Sequence, residues 1–134
     1  MASTFHLQIV TPDGLKFDGQ VENIVVRTTE GDVGILKNRS DYMAAISVGP
    51  LKVKQDGQYR LAAVSGGFLS VTKDITRIVA TTFEWADEID KERALNAKAK
   101  AQERLNSKKS DFDIQMAELK LKRALNRINI ADKL

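Results

Sequence analysis

The chain has 134 residues, 43% hydrophobic and 29% charged, with a net charge of +3 and no cysteine. That size suits one medium domain, or a small domain with an appendage. Disulfide frameworks and thiolate metal sites are excluded, and a single histidine, His6, makes a zinc centre or a catalytic triad improbable.

The N-terminus, MASTFHLQIV, lacks a basic start and a long apolar run, so it does not read as a signal peptide. No segment approaches the roughly 18 apolar residues of a membrane span. A cytoplasmic location is the default expectation. Residues 1–86 hold nine basic and nine acidic side chains, and residues 87–134 hold twelve basic and nine acidic, so the whole positive excess lies in the tail. A nucleic-acid binder would carry a denser basic stripe and more aromatic stacking residues.

All eight glycines precede residue 68, as do both prolines, Pro12 and Pro50. Glycine and proline are the strongest local punctuators, so the chain divides into two architectures. Before the divide, FHLQIV, VENIVVRT, VGIL, LKVK, YRLAAV, FLSV and ITRIVATTF read as short strands. TPDG reads as a turn with proline at its second position, and QDGQ carries the Asp-Gly hairpin signal. The SGG at Ser65–Gly67 implies a tight turn or a close backbone approach. Short, regularly spaced strands predict an antiparallel sandwich or barrel.

After the divide the residues are helix formers. A first helix is predicted from Asp90 to Leu105, with Ala94, Ala97, Ala101 and Leu105 on one side. NSKKSD interrupts it, with Ser110 or Asp111 as N-cap of a second helix. There Ile114, Ala117, Leu121, Ala124, Ile128 and Ala131 repeat at threes and fours, a narrow stripe suited to packing. The fold class is therefore β + α, an N-terminal antiparallel β-sandwich over residues 1–86 and a C-terminal antiparallel two-helix hairpin over 87–134. Two helices alone bury little, so the hairpin is expected to need the sandwich, another subunit or a ligand.

A turn near residue 108 sets Asp90 level with about Asn126, and Arg93 level with about Arg123. The open end would gather Asp90, Arg93, Arg123 and Arg127 with the first helix's free N–H groups. Two readings stand. One is a solvated ion-pair network, which is common and weak. The other is an anion site of the phosphate-binding kind, made from a helix N-terminus and guanidiniums. No glycine-rich phosphate loop, acid cluster or positioned base accompanies it, so hydrolysis there is not expected.

VTPDG, EGDVGIL, VSGGFLSV, EIDKERA and LKRALNRI occur in this order and spacing. Together they closely resemble the epsilon subunit of bacterial F-type ATP synthase, over essentially the whole chain. The resemblance implies a β-sandwich of about ten strands that binds the gamma subunit and the c ring. It implies a non-catalytic rotor subunit at the cytoplasmic face of the cell membrane, without membrane insertion of its own. It also implies a regulatory hairpin that lies folded, or extends along gamma into the alpha/beta head and impedes ATP hydrolysis.

In some members the folded form binds ATP, with no metal required at the site. The pattern Ile or Leu, Asp, two variable residues, Arg, Ala is met here by Ile89, Asp90, Lys91, Glu92, Arg93 and Ala94. The same resemblance assigns Glu84, Arg123 and Arg127 to the site. Two further positions, basic in known binders, hold Lys100 and Met116; lysine loses the guanidinium fork and methionine offers no donor. After GIL the family's Pro-Gly-His and later proline give way to KNRSDYM, with Lys37, Arg39 and Asp41 at the changed positions. The competing expectation from another class is a sandwich and coiled-coil adaptor protein without nucleotide binding.

Overall fold

The computed structural model of the chain describes residues 3–107 and 110–133. The chain divides into two units, Met1–Trp85 and Ala86–Leu134.

The first unit contains seven strands: β1 Phe5–Thr11, β2 Gly14–Val21, β3 Asn23–Thr28, β4 Gly31–Leu36, β5 Tyr42–Gln55, β6 Gln58–Val71 and β7 Thr76–Trp85. They hydrogen-bond in the order β2-β1-β7-β6-β5-β3-β4. Every pairing is antiparallel except β1 with β7, where Leu7 to Val10 run parallel to Thr76 to Val79. Every strand contributes to a single apolar cluster, from Leu7 and Ile9 of β1 to Phe83 and Trp85 of β7. One core fed from all seven strands requires the sheet to fold over on itself, which is the β-sandwich expected from the sequence.

The sheet folds over through its two long strands. β5 and β6 have 14 residues each, and their ladder is interrupted between Ala45↔Phe68 and Gly49↔Val64. Gly66 and Gly67 lie in that gap with φ of 72° and 108°. A Cβ on Gly67 would stand 1.8 Å from the carbonyl oxygen of Val79. The SGG segment is therefore a close backbone approach within a continuous strand, and not a turn. The implied ten strands reduce to seven because stretches that looked separate, such as YRLAAV and FLSV, are halves of one strand.

The turn chemistry follows the sequence. Asp56 and Gly57 both take positive φ, 53° and 79°, between the paired residues Gln55 and Gln58. This is the two-residue primed turn whose twist matches its strands. Trp85 closes β7 with edge-to-face contacts to Phe17 and Phe83, and the Arg60 guanidinium lies 3.8 Å from its ring centre.

The second unit begins with a single 3-10 turn, Ala86–Glu88, and continues as α1, Lys91–Ser107, and α2, Asp111–Asp132. α1 packs on α2. The expected link near residue 108 falls at 108–109, outside the described residues. Of the two candidate caps it is Ser110 that caps α2: its backbone is extended and its Oγ accepts from the N–H of Asp113 at 3.1 Å. Ala94 and Ala101 are the buried residues of α1, and Ala117 and Ala124 are buried on α2. Both pairs are seven residues apart and mirror-placed about the link, so small side chains mark the seam. Ile114, Leu121, Ile128 and Ala131 are only half-buried, while Ile130, off the expected stripe, is buried.

Candidate functional site

Asp90 immediately precedes α1 and caps it. Its Oδ1 accepts the backbone N–H of Arg93 at 3.0 Å, and its carbonyl accepts that of Ala94 at 3.0 Å. The side chain satisfies one of the donors that a helix start leaves open, and the carbonyl accepts the first bond of the helix itself. Ile89, half-buried, donates its N–H to the carbonyl of Ala86 at 3.4 Å, which joins the 3-10 turn to the cap. Ala94 is buried in the seam, whereas Arg93 beside it is exposed.

On α2 Arg123 directly precedes the buried Ala124, and Arg127 follows one turn later; both are half-buried and both have interaction partners. Lys100 and Met116 are exposed. Glu84 lies on β7 opposite Ala63 of β6, half-buried and engaged.

The structure adds two residues that a motif-based count omits. Lys91, a variable position of the motif, reaches across the open end of the hairpin, and its Nζ stands 2.5 Å from Oδ1 of Asp132. Asp87, Glu88 and Glu92 also belong to this end. Its electrostatics are therefore a mixture of cations and carboxylates, with Asp90 committed to the helix cap and Asp132 to Lys91. The cap also changes the chemistry available to an anion. The N–H of Arg93 already has a carboxylate, so an incoming phosphate would rely on the guanidiniums more than on the helix end. No local sequence signal marks the Lys91–Asp132 pair, because its members are 41 positions apart and meet only through the hairpin fold.

The first unit has its own concave feature, a cleft of about 450 Å³ at the β4–β5 loop and the β6–β7 turn. Lys37, Arg39 and Asp41 line it with Lys73 and Asp74. Arg39 is anchored there: it donates to the carbonyl of Gly34 at 2.9 Å, and its guanidinium lies 5.1 Å from the centre of the Tyr42 ring. Among the described residues, no group of three or more His, Cys, Asp or Glu side chains could hold a metal ion. No helix there is long and apolar enough to cross a membrane.

A β-sandwich followed by a helical hairpin, with an aspartate-capped, arginine-flanked first helix, defines a two-unit class of protein. The family description "ATP synthase, Delta/Epsilon chain, beta-sandwich domain" matches residues 4–86, and "ATP synthase, Delta/Epsilon chain, long alpha-helix domain" matches residues 87–132. The ATP synthase epsilon chain of Bacillus velezensis is 48% identical over 96% of this chain and 97% of its own length. That of Bacillus subtilis is 48% identical over 97% and 98%. The chain belongs to the ATP synthase epsilon chain family. A chain in the cryo-EM structure of the Euglena gracilis mitochondrial ATP synthase, OSCP/F1/c-ring, shares the fold: TM-score 0.81 at 22% identity, over 94% of this chain and 80% of that one.

Proposed function

We propose that this chain is a non-catalytic subunit of the central stalk of an F-type ATP synthase, at the cytoplasmic face of the membrane. In this reading residues 1–86 bind the gamma subunit and the c ring and turn with them, coupling ion flow to ATP synthesis. Residues 87–134 form a regulatory arm that impedes ATP hydrolysis when it extends into the alpha/beta head. The observation that carries the reading is full-length similarity, 48% over 96% of the chain, to the epsilon chain of Bacillus velezensis. Co-expression with a gamma subunit tests it. A stable complex that lowers ATP hydrolysis by an alpha–beta–gamma head is expected, and a chain that does not co-purify with gamma would overturn the rotor reading.

The arm further acts as an ATP sensor. Arg93, Arg123 and Arg127 supply charge to the triphosphate, while Asp90 and Ala94 hold the helix start and the seam. Ile89 and Glu84 complete the set that the family resemblance assigns. ATP favours the folded hairpin through its differential affinity for that form. Inverting a 1:99 population fully would take about a 10,000-fold preference. Lysine at 100 and methionine at 116 reduce the cationic contacts, so a partial shift is expected.

A second reading needs no ligand. The twelve basic residues of the tail would brake the enzyme by pairing with acidic loops of the head. Unchanged inhibition after neutralising the basic residues of α2 would remove this reading.

A further inference from the structure

Lys91 is the first residue of α1 and Asp132 the last residue of α2. Both carry the wrong sign for their place. A cation at a helix N-terminus and an anion at a C-terminus each oppose the helix dipole. Their neighbours are right-signed: Asp90 and Glu92 at the start of α1, and Lys133 after α2. The two misplaced charges meet across the open end of the hairpin, Nζ to Oδ1 at 2.5 Å. Each is unfavourable to its own helix and becomes favourable only when the helices lie side by side.

We propose that Lys91 and Asp132 form a latch that holds the open end of the hairpin shut, and that its strength, set by ionic conditions, governs how often the end of α2 leaves α1. Separating the helices strands both charges at unfavourable dipole ends, so opening loses the ion pair and exposes two local penalties together. The side chains are about half exposed, 54% and 49%. A pair so placed is weak and screened by salt. That suits a latch that must release, and it lies at the end of the hairpin where the ATP motif begins. The latch bears on regulation through the reading of the hairpin as a moving arm, but its existence does not depend on that reading.

The test is amide hydrogen exchange in the last two turns of α2, on the full chain at low salt without nucleotide or partner. The variants are Lys91→Glu, Asp132→Lys and the two combined. Either single reversal sets like charges together, and exchange is expected to rise about two- to fivefold, the range of an exposed ion pair. The combined variant restores an opposite pair with both charges now right for their dipoles, so exchange should return to the original rate or below it. Complete loss of the hairpin in both single variants with recovery in the combined one carries the same meaning. At 1 M salt the differences should shrink. The proposal is overturned if each reversal leaves exchange unchanged or slows it, as its own helix dipole alone would predict, and the combined effect is the product of the two. Because no nucleotide or partner is present, that result would leave the stalk and ATP readings untouched.

Discussion

The carboxylate of Asp90 accepts the backbone N–H of Arg93 at 3.0 Å, so the aspartate and the arginine at the start of α1 are joined through a helix cap. Removing the cap should therefore act on α1 before it acts on any ligand. Asp90→Ala is expected to destabilise the helix start by about 1 kcal/mol. Faster amide exchange at Arg93 and Ala94, measured without nucleotide, checks this. Asp90→Asn should retain most of the protection, since asparagine caps nearly as well.

The hairpin seam predicts a size limit. Ala101 and Ala117 are buried to within 2% and 1% of full exclusion from solvent, leaving no room for a branched side chain. Ala117→Leu should cost about 1–3 kcal/mol by overpacking. It should lower the helical circular-dichroism melting transition, whereas Glu118→Ala on the exposed face should leave it nearly unchanged.

Gly67 is the corresponding point of the sandwich. Its φ is 108°, and a Cβ there would lie 1.8 Å from the carbonyl oxygen of Val79, which leaves no place for a side chain. Gly67→Ala should cost more than about 2 kcal/mol. Urea unfolding followed by the fluorescence of Trp85 measures it, because Trp85 is the sole tryptophan and lies in the core.

Two surface pairs predict the acid limb of stability. Asp32 is held below its ordinary value of 3.8 chiefly by the hydrogen bond from Arg27, at 2.9 Å. The His6 imidazole beside Asp18 lowers that carboxyl in the same way. A carboxyl whose folded pKa is depressed stabilises the fold above its unfolded value, and the contribution disappears as pH falls through the folded one. Urea midpoints should therefore be insensitive to these groups above pH 3.8 and fall below it. In Asp32→Asn the fall should be shallower. Both carboxyls are solvent-exposed, so the effect should be small and diminish in salt.

Local chemistry made much of this molecule legible from sequence. Asp56-Gly57 encodes its own turn, and the alanine spacing encodes the hairpin seam. The strand β2 was not apparent, because Lys16, Asp18 and Gln20 make it a polar edge with only Val21 buried. The first half of β5 was hidden as well: Gly49 and Pro50 look like a break, yet the strand runs through them. Gly49 is needed there because a Cβ would meet Arg27 Cδ at 2.7 Å, a crowding set by a residue on another strand. The parallel pairing of β1 with β7 joins residues about 70 positions apart and has no local signature. In the candidate site the motif and both arginines could be read directly. The Asp90 cap is a local contact three residues long, whereas the pairing of Asp132 with Lys91 emerged only when the helices were side by side.

The ATP reading makes its most direct prediction in calorimetric titration of the full chain with ATP. Saturable heat is expected for the unaltered chain, weaker binding for Arg93→Ala and for Arg127→Ala, and tighter binding for Met116→Arg, which adds a guanidinium donor. Absence of saturable heat, or binding that neither arginine substitution weakens, would contradict the proposal that the arginines of this hairpin bind ATP.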